Sequence, residues 1–363
     1  MRVLVVNAGS SSLKLSVLDG DTVAEQTTVE RWDGAGDLDP LREFLEKASE
    51  PDAIGHRVVH GGPRHRASVR VDDEVIGYLD SIADLAPLHN QRAVAAIRAL
   101  GELLPRTPAV AAFDTSFHAT IPDEAATYAL PREWNHTYGL RRYGFHGLSH
   151  AYAVRRGAEI AGRDTADLRV VSCHLGAGAS LCAVRDGRSV DTTMGFTPLA
   201  GLVMQTRVGS VDPGLLLWLL GHAHLDATTL GQVLEHQSGL KGLSGTSGDL
   251  RDVLAARASG DPDAALAFDV YVHRLVREIG AMVAGAGGLD LLVFTGGMGE
   301  RSPDLREAAA ARLGHLGVAL DDRLEAGGSA DTDITAAGAD VSTVVVTARE
   351  DLEVAREVRR VLG

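Results

Sequence analysis

Charged side chains lie at the ends of apolar, strand-like segments, where they could act on an anionic ligand. Arg57 lies inside the apolar segment 54–59, and Asp114 follows the apolar segment 109–113. A buried charge costs free energy unless it has a partner, so Arg57 either forms a salt bridge in the core or binds an anion. We favour the anion, because the guanidinium fork matches a carboxylate. Asp114 either caps the turn that follows it or faces a ligand crevice at the end of its strand.

Two further groups could act on phosphate. His146 lies in segment 138–150, which is rich in glycine, arginine, histidine and aromatic residues and has no regular period. In a loop of this composition, a histidine is more often functional than structural. His150 could complete a metal-binding pair, but no cysteine or carboxylate joins it nearby. Arg207 follows segment 195–198 and is either a solvated loop charge or an arginine that stabilises a transferring phosphoryl group.

Glycine-containing turns recur next to the predicted strands and helices. They cover residues 7–12, 174–178, 245–249 and 295–300. Such turns expose backbone N–H groups and let a phosphate approach closely. Lys14 is either an exposed strand residue or a contact for a terminal phosphate. None of the turns matches a P-loop or a dinucleotide-binding motif, but together they predict a nucleotide site.

The first of these turns belongs to a segment that occurs twice. Residues 2–23 recur as residues 169–190, with seven identical positions and no gap. Each copy reads as an apolar strand, a turn of small residues, a second strand and an Asp-Gly turn. Two such turns can hold one polyphosphate from opposite sides. The repeat therefore predicts a two-lobed nucleotide enzyme rather than two hairpins related by chance.

The other segments alternate between strand and helix patterns. The predicted strands are three within 1–30, then 53–59, 109–113, a set within 169–193, 289–294 and 341–346. The predicted helices are 38–48, 91–104, 150–162, 213–221, 250–256, 264–286, one starting at 302–303, and 351–361. Strands followed by helices through short connections indicate α/β lobes around a cleft.

The composition excludes several classes of protein. The 363 residues include 35 basic and 49 acidic side chains, a net charge of −14, so nucleic-acid binding is not expected. No apolar segment is long enough to span a membrane, and the N-terminus lacks a signal-peptide pattern. Cys173 and Cys182 lie in strand-like segments and read as free thiols. We expect a cytoplasmic protein whose partners are small molecules.

The motifs taken together resemble the acetate/propionate/butyrate kinase family of the actin-like sugar kinase and chaperone superfamily. The resemblance covers nearly the whole chain and is highly specific as a set. Its strongest segments are 7–14 (NAGSSSLK), 55–62 (GHRVVHGG), 113–115 (FDT), 141–147 (RRYGFHG) and 194–199 (MGFTPL).

The resemblance implies a fold and a reaction. The fold is α/β, with two duplicated actin-like (ribonuclease H-like) βββαβαβα lobes around a central nucleotide cleft. The acyl-substrate lobe would comprise residues 1–118 plus 352–363, and the nucleotide-binding lobe residues 119–351. The reaction is the Mg²⁺-dependent conversion of ATP and acetate into ADP and acetyl phosphate by direct in-line transfer, with Mn²⁺ as an alternative metal. A homodimer is also implied.

The resemblance assigns roles to residues at matching positions. The implied catalytic residues are Asp114, His146 and Arg207, and the metal region would be held by Asn7 and Glu350. Arg57 would bind the substrate carboxylate, beside an apolar pocket formed by Val59, Leu88, Phe145 and Pro198. The implied nucleotide-binding residues are Ser10, Ser12, Lys14, His174, Leu175, Gly176, Ala177, Gly178, Asp249, Leu250, Arg251, Gly296, Gly297, Met298, Gly299, Glu300 and Arg301.

The chain also departs from the family pattern. Most members are longer, and the shortening falls between Lys14 and Arg57. Four changes touch the nucleotide motifs: Ala177 replaces Asn, Gln205 replaces Gly, Leu250 replaces Phe and Arg301 replaces Asn. Propionate or butyrate as the acid, or another phosphate donor, therefore remain alternatives. An actin-like sugar kinase, with Asp114 as its base, and an actin-like nucleotide switch or assembly protein are the alternatives from outside the family.

Overall fold

The chain forms two compact α/β units. The structure is a computed structural model that describes residues 1–9, 12–30, 32, 38–321, 323 and 331–363, apart from the side chains of residues 87 and 88. Unit 1 comprises Met1–Ala119, Phe145–Tyr152 and Arg349–Gly363, and unit 2 comprises Thr120–Gly144 and Ala153–Ala348. Segments 145–152 and 349–351 thus pack in unit 1, whereas the lobe boundaries expected from the sequence put them in the second lobe.

Unit 1 is built on a six-stranded mixed sheet. Its strands are β1 (Arg2–Ala8), β2 (Ser12–Asp19), β3 (Thr22–Glu30), β4 (Ala53–Val58), β5 (Val69–Arg70) and β6 (Ala109–Phe113), in the order β3-β2-β1-β4-β6-β5. The first three strands form an antiparallel meander, and β1, β4 and β6 are parallel. The carboxyl ends of the parallel strands therefore meet at one edge of the sheet, where ligands bind in open α/β sheets.

Unit 2 repeats this plan. Its strands are β7 (Arg169–Leu175), β8 (Ala179–Arg185), β9 (Arg188–Thr192), β10 (Leu291–Thr295), β11 (Thr332–Asp333) and β12 (Ser342–Val345), in the order β11-β12-β10-β7-β8-β9. A meander of three strands again precedes two further parallel strands. The predicted α/β fold with two duplicated lobes is confirmed.

Helices cover the sheets. The α-helices of the described residues are α1 (Asp39–Lys47), α2 (Asp73–Ser81), α3 (Pro87–Leu103), α4 (Asp123–Ala126), α5 (Arg132–Tyr138), α6 (Gly147–Ile160), α7 (Pro213–His222), α8 (Ala227–His236), α9 (Gly239–Ser244), α10 (Leu250–Ala258), α11 (Pro262–Ala286), α12 (Gly296–Arg301), α13 (Pro303–Ala310) and α14 (Glu350–Leu362). No helix in the described part of the chain combines the length and apolar character needed to cross a membrane.

The side chains of β1 alternate between two cores. Leu4 and Val6 pack with α1 and α3 on one face of the sheet, and Val3 and Val5 pack with α14 on the other. This period of two is expected of a central strand buried on both faces. It explains why the first strand of the chain reads as a continuous apolar run.

A glycine in β4 lets α14 approach the sheet closely. A Cβ on Gly55 would lie 2.6 Å from a methyl group of Val354, so any larger residue would push the helix away. The first residue of α14 is Glu350. The close packing therefore fixes a carboxylate at the edge where the parallel strands end.

The first turn of the repeat differs by one residue between the two units. In unit 1, Ala8 pairs with Leu13, which leaves four residues between them. In unit 2, Leu175 pairs with Ala179, which leaves three. The predicted gap-free repeat is therefore wrong beyond this turn. Residues that the gap-free alignment matches occupy positions one residue apart in the second strands of the two units.

The β-bulges show the same offset. The register of β2 on β3 shifts after Val17, and the register of β8 on β9 shifts after Ala183. The gap-free alignment instead matches Val17 with Val184. A single-residue deletion in a turn keeps the strand pattern that follows it and only moves each side chain to the opposite face of the sheet. The sequence alone therefore did not reveal the deletion.

Two glycine-rich segments are more helical than predicted. Residues 296–301 form helix α12, although the sequence predicted a turn, and α6 begins at Gly147 inside the predicted loop 138–150. Gly296 has a φ of 79°, and a Cβ there would lie 2.8 Å from the Leu175 carbonyl oxygen. Packing against Leu175 thus stabilises this helix, although glycine has a low helical propensity. Helices α2, α4, α5, α8 and α9 were not predicted.

The buried His56 makes the stability of the fold sensitive to acid. Neither ring nitrogen has a hydrogen-bond partner among the described residues, and burial lowers the pKa of His56 to about 3. The unfolded chain binds a proton near pH 6.5, whereas the folded chain does not until about pH 3. Stability should therefore fall by roughly 1.4 kcal/mol per pH unit as the pH drops from 6.5 towards 4.

Urea unfolding at pH 7.0 and 5.0 measures this effect. The variant His56→Leu is expected to show a weaker pH dependence than the unmodified chain, whereas the exposed His273→Gln in α11 should keep it. Equal slopes for the unmodified chain and His56→Leu would rule out His56 as the source.

Candidate active site

Three polar residues form a row across neighbouring strands of unit 1. Asn7 in β1 pairs with Lys14 in β2 on one side and with Arg57 in β4 on the other. Residues that face one another in adjacent strands project from the same face of a sheet. Asn7 and Arg57 each lie one residue before the last residue of their strand. The structure thus brings together three residues predicted for different ligands.

The guanidinium of Arg57 is the centre of this cluster. Its Nε and Nη2 donate to the two carboxylate oxygens of Asp114, at 3.2 and 2.7 Å, and its Nη1 donates to Asn7 Oδ1 at 3.0 Å. Glu350 Oε2 lies 3.3 Å from Nε. Burial acts to lower the pKa of Arg57, but Asp114 and Glu350 outweigh it and raise the pKa above its ordinary value.

The salt bridge changes the interpretation of Arg57. The sequence analysis favoured an anion over an internal salt bridge, and the structure shows the salt bridge with Asp114. A guanidinium has five N–H protons, and three donate to Asp114 and Asn7, so one proton remains on each terminal nitrogen. Arg57 therefore keeps a two-proton outer edge, while Asp114 fixes its orientation.

Glu350 is a buried carboxylate with incomplete compensation. Its side chain is 18% exposed, and burial raises its pKa although Arg57 and Lys14 act to lower it. Asp114 adds repulsion. An additional cation at this position would be favourable, because it would offset the cost of burying the charge.

His146 has a strained backbone next to Asp114. Its φ is +57°, a left-handed conformation that costs free energy for a residue with a Cβ. The following Gly147 donates its N–H to the Asp114 carbonyl oxygen at 2.8 Å, and a Cβ on Gly147 would overlap that oxygen. The preceding Phe145 is buried and contacts the ring of His60 edge-on. Packing on both sides holds His146 in this conformation.

The loop after β4 is held by residues that the sequence analysis did not single out as part of the site. The side-chain amide of Asn90 accepts from the His60 N–H at 3.1 Å and donates to the His60 carbonyl at 2.9 Å. Thr115 Oγ1 accepts from the Gly61 N–H at 3.2 Å. The available signal was an amide side chain directly before the predicted helix 91–104.

The predicted apolar pocket is described only in part. Val59 and Phe145 lie in unit 1, and Pro198 lies in unit 2. The side chain of Leu88 lies outside the described residues, as does Ser10 of the first glycine turn. Ser12 is half-buried, and its carbonyl accepts from the Gly9 N–H at 2.8 Å.

Unit 2 contains a cavity of about 260 Å³ where its glycine turns meet. Most of its lining was predicted as a nucleotide site: Gly176, Ala177, Asp249, Leu250, Arg251, Gly297, Met298 and Arg301. The sequence analysis did not assign Gln205, Leu254, Ser302 and Asp304, which also line the cavity. Parallel pairing of β10 with β7 brings the turns after these strands together.

Other predicted nucleotide residues shape this cavity rather than line it. Glu300 Oε1 accepts from the Ala348 N–H at 3.0 Å. Thr295, the last residue of β10, faces His174 across the parallel pair. Leu175 is the last residue of β7, Gly178 lies in the turn before β8, and Gly296 and Gly299 belong to α12. Arg251 is 86% exposed and donates to Asp249, which lowers the pKa of Asp249 to about 2.

Arg207 differs from Arg57 in having no carboxylate partner. None of the ion pairs within the described residues involves Arg207, whose Nη1 donates to the Pro198 carbonyl at 3.3 Å. Burial lowers its pKa, and only the charge of Glu235 acts in the opposite direction. A buried cation without a counter-charge is a favourable site for an anion.

These features define a class of protein. Two duplicated α/β lobes, with glycine turns and cations at their strand ends, are those of an actin-like nucleotide-binding protein. The chain belongs to the acetokinase family: the sequence model of that family matches residues 35–356.

Individual relatives match over their full length. The chain is 42% identical over 399 aligned positions to the acetate kinase of Trichormus variabilis, covering 98% of each protein. It is also 42% identical to the acetate kinase of Dictyoglomus turgidum, covering 100% of this chain and 98% of the relative.

Solved structures of the family have the same fold. The crystal structure of Porphyromonas gingivalis acetate kinase superposes with a TM-score of 0.92 at 34% identity, covering both chains completely. The propionate kinase of Francisella tularensis superposes with a TM-score of 0.92 at 33% identity, covering 99% of this chain and all of that one.

Proposed function

We propose that this chain transfers the terminal phosphoryl group of ATP directly to acetate, giving ADP and acetyl phosphate. The observation that carries the proposal is the pairing of Asp114. Both of its carboxylate oxygens accept from Arg57, so the only carboxylate at the end of β6 is committed to orienting a cation. A sugar hydroxyl needs a base, whereas a carboxylate is already ionised at neutral pH and needs none.

The substrate acid would bind the outer edge of Arg57. The two free N–H protons there can donate to the two oxygens of a carboxylate. Acetate would place its methyl group against Val59 and Phe145, with Leu88 and Pro198 as the other proposed contacts. The acid must attack an anionic phosphoryl group, so catalysis rests on orientation and on neutralising charge.

The phosphate donor would bind in unit 2. We assign ATP to the cavity and glycine turns of residues 174–178, 249–251 and 296–301, with residues 10–14 as a further phosphate contact in unit 1. His146 and Arg207 would neutralise charge on the group in transit, because the residue after His146 is hydrogen-bonded to Asp114 and Arg207 forms no ion pair within the described residues. Hydrogen-bond donors aimed at such charge are commonly the largest catalytic contribution.

A divalent cation fits unit 1. Mg²⁺ in kinase sites is usually held by one or two oxygen ligands, water and substrate phosphate. Asn7 and Glu350 would supply such oxygens, and the repulsion between Glu350 and Asp114, which helps to raise the pKa of Glu350, supports a cation there. When bound, Mg²⁺ would offset the charge of the polyphosphate.

A matrix of acids against donors tests the proposal. Acetate, propionate and butyrate are each assayed with ATP, GTP and pyrophosphate, and acyl phosphate is trapped with hydroxylamine. We expect acyl phosphate with acetate and ATP. The variant Arg207→Ala, purified in the same way, is the control for contaminating kinases. Phosphorylation of a sugar without acyl phosphate, or ATP-dependent assembly without turnover, would contradict the proposal.

We also propose that the chain forms a homodimer through the surface of α7, defined as Leu215, Leu217 and Trp218. Leu217 is 71% exposed and Trp218 is 55% exposed, in a helix composed almost entirely of apolar residues. Exposed apolar patches of this kind commonly mark interfaces.

Cys173 and Cys182 are buried free thiols, which agrees with the proposed reducing cytoplasm.

Light scattering after size exclusion tests the interface. The variant Leu217→Asp is expected to halve the measured mass, because a charge in an apolar interface is costly. The variant Leu130→Asp changes another exposed leucine of unit 2 and should leave the mass unchanged. A monomeric mass for the unmodified chain at micromolar concentration would end the proposal.

A further inference from the structure

Arg142 gathers three consecutive backbone carbonyls around one nitrogen. Its Nη1 donates to the carbonyls of Thr192, Met194 and Thr193, at 2.9, 3.2 and 3.3 Å. These residues lie at the end of β9, where Thr193 makes the last bonds to Leu181 of β8. On the other side of the guanidinium, Asp191 Oδ1 lies 3.8 Å from Nε. Arg142 thus supplies the donors that hold this strand end in its turn.

The segment that Arg142 holds leads to Arg207. The carbonyl of Gly195 accepts from the N–H groups of Tyr143 and Gly144, at 3.1 and 3.2 Å. Three residues further on, the Pro198 carbonyl accepts from Arg207 Nη1 at 3.3 Å. The only recorded oxygen acceptor of the Arg207 guanidinium within the described residues therefore lies in this segment.

A second set of bonds fixes the middle of the segment. Tyr128 Oη accepts from the Phe196 N–H at 2.7 Å, and the close approach requires glycine at Gly195, where a Cβ would overlap the Tyr128 hydroxyl. Residues 192–198 consequently form a short strap whose start is tied by Arg142 and whose end orients Arg207. Without Arg142, three carbonyls would lose their shared donor, and the start of the strap would keep only its bonds to Leu181 of β8.

We infer that Arg142 is a positioning residue for Arg207 and acts through the strap of residues 192–198. The inference rests on the proposed function, because it gives Arg207 the task of neutralising the transferring phosphoryl group. Misplacement of such a group by about 1 Å can lower a rate by roughly 10²-fold. Arg142 itself touches no part of the cavity lined by the glycine turns.

Kinetics of Arg142→Ala and Arg142→Lys provide the first test. Both variants are expected to lower kcat by roughly 10- to 100-fold, with KM for ATP and acetate changed by less than about threefold. Lysine should recover part of the loss, because its ammonium group can donate to some of the carbonyls. Arg169→Ala is the matched control: Arg169 donates to Asp290 and the Gly287 carbonyl at the opposite end of the unit 2 sheet.

A double mutant distinguishes positioning from general structural support. If Arg142 acts through Arg207, adding Arg142→Ala to Arg207→Ala should change kcat by less than about twofold, because residues that act as a unit are not additive. Multiplicative losses would overturn the inference, as would a loss in Arg142→Ala no larger than that in Arg169→Ala. If Arg142→Ala does not fold, Arg142→Lys decides by the same criteria.

Amide hydrogen exchange gives a readout that does not need turnover. Exchange at the amides of residues 193–197 should rise in Arg142→Lys and stay unchanged in Arg169→Ala. This result would support the strap even if the unmodified chain proved to lack acetate kinase activity, which would overturn only the proposed function. Unchanged exchange in Arg142→Lys would overturn the inference whatever the activity.

Discussion

The variant Arg207→Ala is expected to lower kcat by about 10²–10³ and to leave KM for the nucleotide within a few fold. Arg207 is a half-buried cation whose charged form is disfavoured by desolvation and is compensated only by the charge of Glu235, which acts to raise the pKa of Arg207 against the effect of burial. An ordered cation without a counter-charge can respond strongly to charge that develops on a phosphoryl group. Ground-state binding of ATP would depend on the glycine turns instead, so binding and turnover should separate.

The same desolvation predicts an opposite effect on stability. A buried charge without an ion partner costs free energy, so Arg207→Ala should melt at the same or a higher temperature than the unmodified chain. Steady-state kinetics and thermal unfolding of one preparation measure both quantities. An unchanged kcat would rule out the catalytic role, and a strongly lowered melting temperature would show that Arg207 supports the fold.

A second arginine of unit 2 provides the contrast. Arg251 is 86% exposed and donates only to the neighbouring Asp249. Because water already solvates it, we expect Arg251→Ala to change KM for ATP by a few fold and to leave kcat nearly unaltered. Equal losses of kcat in Arg207→Ala and Arg251→Ala would mean that burial does not determine the catalytic contribution.

The sequence predicted the fold well because its signals were local and repeated. The apolar run of β1 and the turn at 7–12 recur in β7 and at 174–178, so the consecutive strands and their duplication followed from pattern alone. The one-residue difference between the two turns was missed, since a shifted strand still looks like a strand. Pairing of Leu175 with Ala179 is a property of the hairpin geometry.

The partners of the site residues were harder to predict because they are distant in sequence. Arg57 and Asp114 meet only because β4 and β6 are parallel neighbours, and nothing near Arg57 in the chain indicates which carboxylate it will bind. Asn90 precedes the predicted helix 91–104 and was not assigned to the site, yet its amide holds the backbone of His60. Conversely, the cavity lined by Ala177 and Gly297 was predictable, because glycine turns at parallel strand ends must meet.

The pairing of Asp114 with Arg57 leads to the second large expected effect. Asp114→Asn keeps the shape of the side chain but replaces one acceptor oxygen with an N–H donor that faces a guanidinium proton. One of the two fork bonds is lost, and Glu350, 3.3 Å from Arg57 Nε, becomes the stronger attraction. We expect kcat to fall by roughly 10²-fold and KM for acetate to rise, because the two outer protons of Arg57 would turn away from the acid.

The pH dependence separates this orienting role from a base. If Asp114 removed a proton, Asp114→Asn would abolish the acidic limb of the kcat profile. If Asp114 orients Arg57, the residual activity should keep the shape of the unmodified profile. The control is Asp290→Asn, which breaks a similar two-bond pair with Arg169 in unit 2 and should leave kcat nearly unchanged. Near-normal turnover of Asp114→Asn would show that a carboxylate substrate is held without the Arg57 fork, and the acceptor site would then have to be sought elsewhere in unit 1.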